Sequence, residues 1–299
     1  RSQFIDLPFV PEQGIKTKSG KYVWINHTDK FVRRIFNNNS WEDGGRFYGG
    51  WWQRIPKEWR LKIRIMANTV VEIDYSGLHI VLLYALEGID YWDHIGTDPY
   101  QLTGYSHSDE MRKLLKQVLL SSINAANKDK AIKSVQYEIN DNGDEWSWVK
   151  EAGLKLSKVV EDFAERHSPI KKYFFTGSGI KLQRIDSIIA GHVIKRFTEG
   201  GLVVLCVHDS FIVPSVMDSL LHETMMEAFD KCVSVVCGSL PGMVPKIKRI
   251  GIGEKTFKAH RGTEIERSLL AGPFWDRGYD RRMCEHLFSE DRIEWRDWD

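Results

Sequence analysis

Thr69-Val-Val-Glu-Ile-Asp74-Tyr-Ser-Gly-Leu-His79 is the stretch whose reading decides the fold. Its first six residues are mostly β-branched and alternate, which predicts a strand ending at Asp74, with Ser76-Gly77 as the turn beyond it. Immediately downstream, Leu78, Val81, Leu82, Ala85 and Leu86 recur at helical spacing until Glu87-Gly88, where the glycine suits a left-handed cap. A strand that hands over to a helix in this way exposes the Asp74 carboxylate on a rigid support. A second stretch, Leu202-Val-Val-Leu-Cys-Val207, is the most strand-like in the chain, and it resumes as Phe211-Ile-Val213 after His208-Asp209-Ser210. It predicts a β-hairpin with an acid at its tip.

Outward from these two acids the rest of the chain takes a coarse shape. A short helix is expected after Asp29, because Phe31, Val32, Ile35 and Phe36 share one face of FVRRIF, and Gly44 to Pro56 reads as irregular or hairpin-like. Helices are expected over residues 109–126 and 145–166, with an acidic turn at DNGDE between them. Another should run from Lys181 to Glu199, and a long one over 216–236. Repeats and low-complexity tracts are absent from the sequence. The resulting division is a loop-rich segment over 1–68, a strand–helix unit over 69–89, a helical region over 90–180, a second sheet-bearing region over 181–250, and a tail over 251–299 dense in tryptophan, arginine and acid.

Composition bounds the class without choosing the function. The 299 residues carry 42 basic and 41 acidic side chains, so overall charge points to no polyanionic partner, although a basic groove can coexist with acidic faces. Cysteines at 206, 232, 237 and 284 form no Cys-x-x-Cys pair and no disulfide framework, which predicts a reducing, intracellular (cytoplasmic) setting. Cys232 and Cys237 lie in the apolar KCVSVVCG and read as small buried hydrophobes. Apolar runs such as Ile80 to Leu86 fall far short of the ~20 residues of a membrane span, so a soluble chain with no membrane partner is expected. A first residue that is arginine suggests a piece of something longer.

Two carboxylates at strand ends can bridge two divalent ions about 3.5–4 Å apart, the arrangement that activates a hydroxyl and steadies a departing pyrophosphate. A strand-terminal aspartate is nonetheless more often a turn or cap residue, and spacing alone does not separate the two readings.

The order of a set of motifs between residues 45 and 211 resembles the DNA polymerase I (family A) and single-subunit phage-type RNA polymerase superfamily. Gly45-Arg46-Phe47-Tyr48 and Gln53-Arg54-Ile55-Pro56 resemble the paired segments ahead of that family's first catalytic aspartate. Val71 to His79 resembles motif A, and Arg112-Lys-Leu-Leu-Lys116-Gln117 the opening of motif B. Leu182-Gln183-Arg184-Ile-Asp186-Ser187 resembles the helix before motif C, and Val207-His208-Asp209-Ser210-Phe211 resembles motif C itself, in a spelling closer to the RNA enzymes. The resemblance implies an α/β (α+β) polymerase palm with a small antiparallel sheet and reduced helical fingers. Asp74 and Asp209 would hold two Mg²⁺ or Mn²⁺ ions, with the Tyr75 carbonyl assisting. Arg112, Lys116, Gln117 and His79 would face the nucleoside triphosphate, with Lys116 acting on the leaving pyrophosphate. Arg46, Gln53, Arg54, Gln183 and His208 would face nucleic acid, single-stranded or primed, and His208 would also stand with Asp74, Asp209 and Lys116 among the catalytic residues.

Three departures shape the expectation. The aromatic that closes motif B is replaced by Asn124-Ala125. His79 stands where the DNA enzymes carry a glutamate, so the preferred sugar is open. Only 73 residues precede Asp74, too few for a full thumb, which favours a primase-polymerase of a phage, plasmid or mobile element and leaves room for a helicase or small accessory subunit. Template would then be gripped by Trp41, Phe47, Tyr48, Trp51 and Trp52 beside Arg46 and Arg54; core packing of those aromatics is an equal alternative. A phage-type RNA polymerase core and a catalytically silent nucleic-acid-binding scaffold are the competing readings.

Overall fold

The computed structural model describes residues 5–251 apart from 9, 18–19, 142 and 239–242. The expected C-terminal extension beyond Gly251, with Cys284, lies outside the described residues.

The N-terminal segment is built from β1 (Ile5–Asp6), β2 (Ile15–Lys16), β3 (Tyr22–Val23), β4 (Arg33–Phe36), β5 (Gly44–Tyr48), the short helix α1 (Lys57–Arg60) and β6 (Arg64–Ile65). These pair antiparallel as β1 with β6, β2 with β3, and β4 with β5. Residues 33–36 are therefore a strand, where the sequence predicted a helix. Their spacing fits both periods, but Phe31 is 58% and Ile35 40% exposed, so no apolar helix face is buried. Cross-strand pairing with Gly44–Tyr48 prevails, and Asn38 and Asn39, at φ 54° and 51°, turn the chain in the left-handed region that asparagine tolerates.

Behind this segment lies a four-stranded antiparallel sheet in the order β10-β7-β9-β8, comprising β7 (Val70–Tyr75), β8 (Leu205–Val207), β9 (Ser210–Pro214) and β10 (Ile247–Gly251). One face of it meets a small core of Trp51, Trp52, Ile55, Ile63 and Ile65 around Leu205 and Ile212. Trp51 and Trp52 thus belong to the core. The larger core joins Ile73, Tyr75, Phe211 and Val213 to the helices: α2 (Leu78–Leu86), α3 (Tyr91–His94), α4 (Asp109–Asn124), α5 (Lys128–Asp141), α6 (Gly143–Glu151), α7 (Leu156–Arg166), α8 (Gly179–Glu199) and α9 (Asp218–Cys237). Helix α2 is apolar all round, and Leu78 and Ile80 to Ala85 are all buried, as such a helix requires.

The strand ending near Asp74, the helix after it, the 202–213 hairpin and the long helix near 216–236 are all present. The helical region is more divided than its sequence suggests. Helix α5 was not anticipated and ends at Asp141, α6 begins at Gly143, and the expected 145–166 helix is two, parted near Gly153, which takes φ 61°.

Candidate active site

Asp74 is the fifth residue of β7, and directly opposite it on β9 stands Ser210, whose neighbour is Asp209 at the hairpin tip. The two acids thus meet at one end of two adjacent central strands. The Asp74 carboxyl is raised to about 7, first by burial and then by the negative charges of Asp209 and Glu72; Lys116 and Lys57 act the other way. Glu72, two residues earlier on the same strand face, is buried, accepts from Ser210 Oγ at 3.0 Å and pairs with Arg60 at 3.2 Å.

Among the described residues no three His, Cys, Asp or Glu side chains converge to hold a metal by themselves. A pair of carboxylates is nevertheless the donor set that Mg²⁺ or Mn²⁺ uses where phosphate oxygens and water complete the shell. The repulsion concentrated on Asp74 is what a divalent cation there would relieve, so the residues fit such a group.

Cations face this pair from α4. Its N-terminus is fixed by Ser108, whose hydroxyl accepts from Met111 N at 3.2 Å. One turn apart on the exposed face, Arg112 and Lys116 lie over the ring of Tyr100, at 5.2 and 5.4 Å from its centroid. Tyr100 is buried, and its hydroxyl is pushed up by burial and then by Asp209, with Asp98 and Asp74 adding to it. The Tyr100 ring thus lies beside both cations and within the field of both acids. Arg112 is itself paired with Asp98. Gln117 is partly buried on the same helix, and Asn124 folds its side chain back onto Leu120 O at 2.8 Å.

Residues 97–100 form a strap that the sequence did not mark. Arg166 donates to Thr97 Oγ1 at 2.7 Å, and the fully buried His167 donates through Nε2 to Pro99 O at 3.0 Å while its Nδ1 accepts from Tyr84. Pro99 packs on Gly77, the residue before α2, where a Cβ would come within 2.7 Å of the proline ring. Gly77 also takes φ 65°, so glycine serves both the turn and the close approach.

The remaining residues fall into two groups. Arg46 makes a bidentate pair with buried Asp186 and lies 3.1 Å from His79 Nε2, which is 2.9 Å from Asp186 Oδ2. Burial works against the Arg46 charge, and Asp186, then Asp209, outweigh it. His208 sits beside Asp209 at φ 58°, its ring 5.2 Å from that of Tyr48, with its pKa lowered first by burial and then by Arg46. These residues converge on the carboxylate end of the sheet. Gln53, by contrast, donates to Phe47 O at 3.0 Å and Cys206 O at 2.8 Å and accepts from Gly49 N, so its amide ties β5 to β8. Arg54 pairs with Asp29 on an exposed flank, and Gln183 lies partly buried in the first two turns of α8.

Glu72, Tyr100, Asp186 and His167 were given no role from sequence. Glu72 had a signal, an acid two residues before Asp74 in an otherwise apolar strand; His167 and Asp186 lack one, because their partners are 68 or more residues away, and Tyr100 meets its cations across a turn into another helix.

The fold and site together define a mixed α/β chain whose small antiparallel sheet presents two interacting carboxylates to a basic helix. No family model and no curated protein matches the chain. Among solved structures it is similar to the POL domain of Pol1 from M. smegmatis, in complex with DNA primer-template and dNTP, at 15% identity and a TM-score of 0.36. The match covers 72% of this chain and 46% of that one, so the chain spans less than half of that domain's length. A likeness at that TM-score fixes neither topology nor activity.

Proposed function

We propose that this chain is a template-directed nucleotidyltransferase, and more narrowly a primase-polymerase. The observation that carries the reading is the meeting of Asp74 and Asp209 at one sheet end, where their charges interact and Lys116 acts on the same point. A carboxylate raised to about 7 by burial and then by neighbouring acids is an expensive arrangement for a merely structural role, and such sites concentrate where chemistry occurs.

In the proposed reaction a 3′-hydroxyl oxygen bonds to the α-phosphorus of a nucleoside triphosphate and gives up its proton to water, while the bond from that phosphorus to the bridging oxygen breaks and pyrophosphate leaves with the electron pair. Asp74 and Asp209 would hold Mg²⁺ or Mn²⁺, which supplies Lewis acidity for both oxygens. Lys116 and Arg112, one helical turn apart over the Tyr100 ring, suit the triphosphate. His79, pinned by Asp186, stands close to the sheet end where a sugar would be read.

The test is primer-free incorporation on a single-stranded template with Mg²⁺ or Mn²⁺, using labelled ribo- and deoxyribonucleotides separately, beside the Asp74→Ala/Asp209→Ala double variant. Short products from the natural chain alone are expected. Extension only from a supplied primer would remove the priming role, and synthesis started at a promoter duplex would point to an RNA polymerase core. No product with template binding intact would leave a silent scaffold.

A further inference from the structure

Four of the five exposed large aromatics among the described residues, Tyr22, Trp24, Phe31 and Trp41, lie in the N-terminal segment. Trp41 is 74% exposed, at the tip of the β4–β5 hairpin. Its ring meets that of Phe36 edge-on at 4.5 Å, and two guanidiniums, Arg34 from β4 and Arg184 from α8, lie 5.0 and 5.8 Å from the centroid of Phe36. Their hydrogen-bond partners are neutral. Arg34 donates to Gly45 O at 2.9 Å and Ser187 Oγ at 2.8 Å; Arg184 donates to Trp41 O at 2.8 Å and keeps Nη1 buried without a partner. Burial and then the charge of Arg184 push the Arg34 pKa down, the mark of two like charges held together. Nearby Asp43 is already taken by Lys181 at 2.7 Å and Asn38 at 3.0 Å, leaving exposed Glu42 at the tip.

We infer that Trp41, Phe36, Arg34 and Arg184 form a platform for single-stranded nucleic acid, with a base stacked on Trp41 and a backbone phosphate between the two arginines. An exposed indole offers a stacking face that only an unpaired base can use, and two close guanidiniums short of an acid attract a bridging anion. The platform leads to the candidate active site. Strand β5 starts at Gly44 and ends at Tyr48, which touches His208 beside Asp209; four steps of extended chain span about 13 Å. A strand held on Trp41 would thus lie a few nucleotides from the site. The inference deepens the proposed function in naming where template is gripped, and it rests on that reading only for the identity of the strand as template.

The test is fluorescence anisotropy of a labelled oligothymidylate with the full chain, without nucleoside triphosphates so that no turnover occurs. Trp41→Ala, an exposed position, should weaken binding about tenfold or more. Arg184→Ala should lower the slope of log affinity against log salt by about one, and Arg184→Lys should restore it. Natural chain that binds, with Trp41→Ala and Arg184→Ala unchanged, would overturn the platform and leave nucleotidyl transfer standing. The same losses in a chain that incorporates no nucleotide would support the platform and sink the activity. Equal affinity for duplex, or no binding by the natural chain, would also overturn it.

Discussion

His167 should make the protein acid-sensitive in a window where surface histidines have little effect. Its imidazole is fully buried, donates to Pro99 O and accepts from Tyr84, and burial lowers its pKa to about 4, against a backbone hydrogen bond that favours the charge. The unfolded chain takes up this proton near the ordinary value of about 6.5, and the folded chain does not until about 4. Stability from this group is therefore fully present above about pH 6.5 and is lost as pH falls. At about 1.4 kcal/mol for each tenfold in proton affinity the loss reaches about 3 kcal/mol by about pH 4. Urea unfolding of the natural chain and of His167→Gln between about pH 7.5 and pH 4.5 isolates the term, because carboxylates titrate in both. Glutamine can accept from Tyr84 and donate to Pro99 without gaining a proton, so the variant should show the shallower acid slope. Parallel slopes, or an imidazole C–H resonance of His167 titrating near 6.5, would refute the reasoning. Because His167 anchors the strap bearing Asp98 and Tyr100, nucleotide affinity should fall in the same acid window.

Three further outcomes follow from the geometry. His208→Gly should raise the unfolding free energy from urea titration by up to about 1 kcal/mol, since a non-glycine residue in the left-handed region is strained by ~1–2 kcal/mol, partly offset by loss of the Tyr48 contact; an unchanged or lower stability would show that the hairpin tip holds no such strain. Glu72→Gln, which leaves Arg60 buried without its acid, should destabilise by about 3 kcal/mol in the same assay, and a loss under about 1 kcal/mol would mean that the pair is solvated. Gly77→Ala combines a positive φ with a Cβ 2.7 Å from Pro99 and should cost more than about 2 kcal/mol, with Tm falling accordingly; a neutral result would show that the strap can move aside.

Much of the sheet was legible because its signals are local. The β-branched run before Asp74, the hairpin around His208-Asp209 and the apolar helix between them each carry their own period and punctuation. Residues 31–36 were misread because apolar spacing there satisfies a helix as well as a strand, and the partner that decides, Gly44–Tyr48, is contributed by another segment. The helices between 128 and 166 were miscounted because the acidic, glycine-bearing DNGDE resembles a loop, yet packing of Val135, Ile139, Trp146 and Val149 into the core keeps the chain helical on both sides of it. Trp41 and Trp51 look alike in sequence, and only the fold shows that one is 74% exposed and the other 1%.

A charge can be read in a sequence, but its partner cannot, and the partner decides what the charge is free to do. Arg46 and Lys116 are both cations within motifs. The structure commits Arg46 to Asp186 and His79, a buried network whose hydrogen bonds fix the histidine ring beside the sheet end. Lys116 keeps its ammonium on an exposed helix face over Tyr100, where it acts on Asp74 through its charge. The first cation shapes the site and the second is available to a ligand. Tyr100, beneath Lys116 and Arg112, belongs to the strap whose Pro99 carbonyl is held by His167. The strand ends that carry Asp74 and Asp209 are thus encoded locally, and the partners of the two cations are a property of tertiary packing.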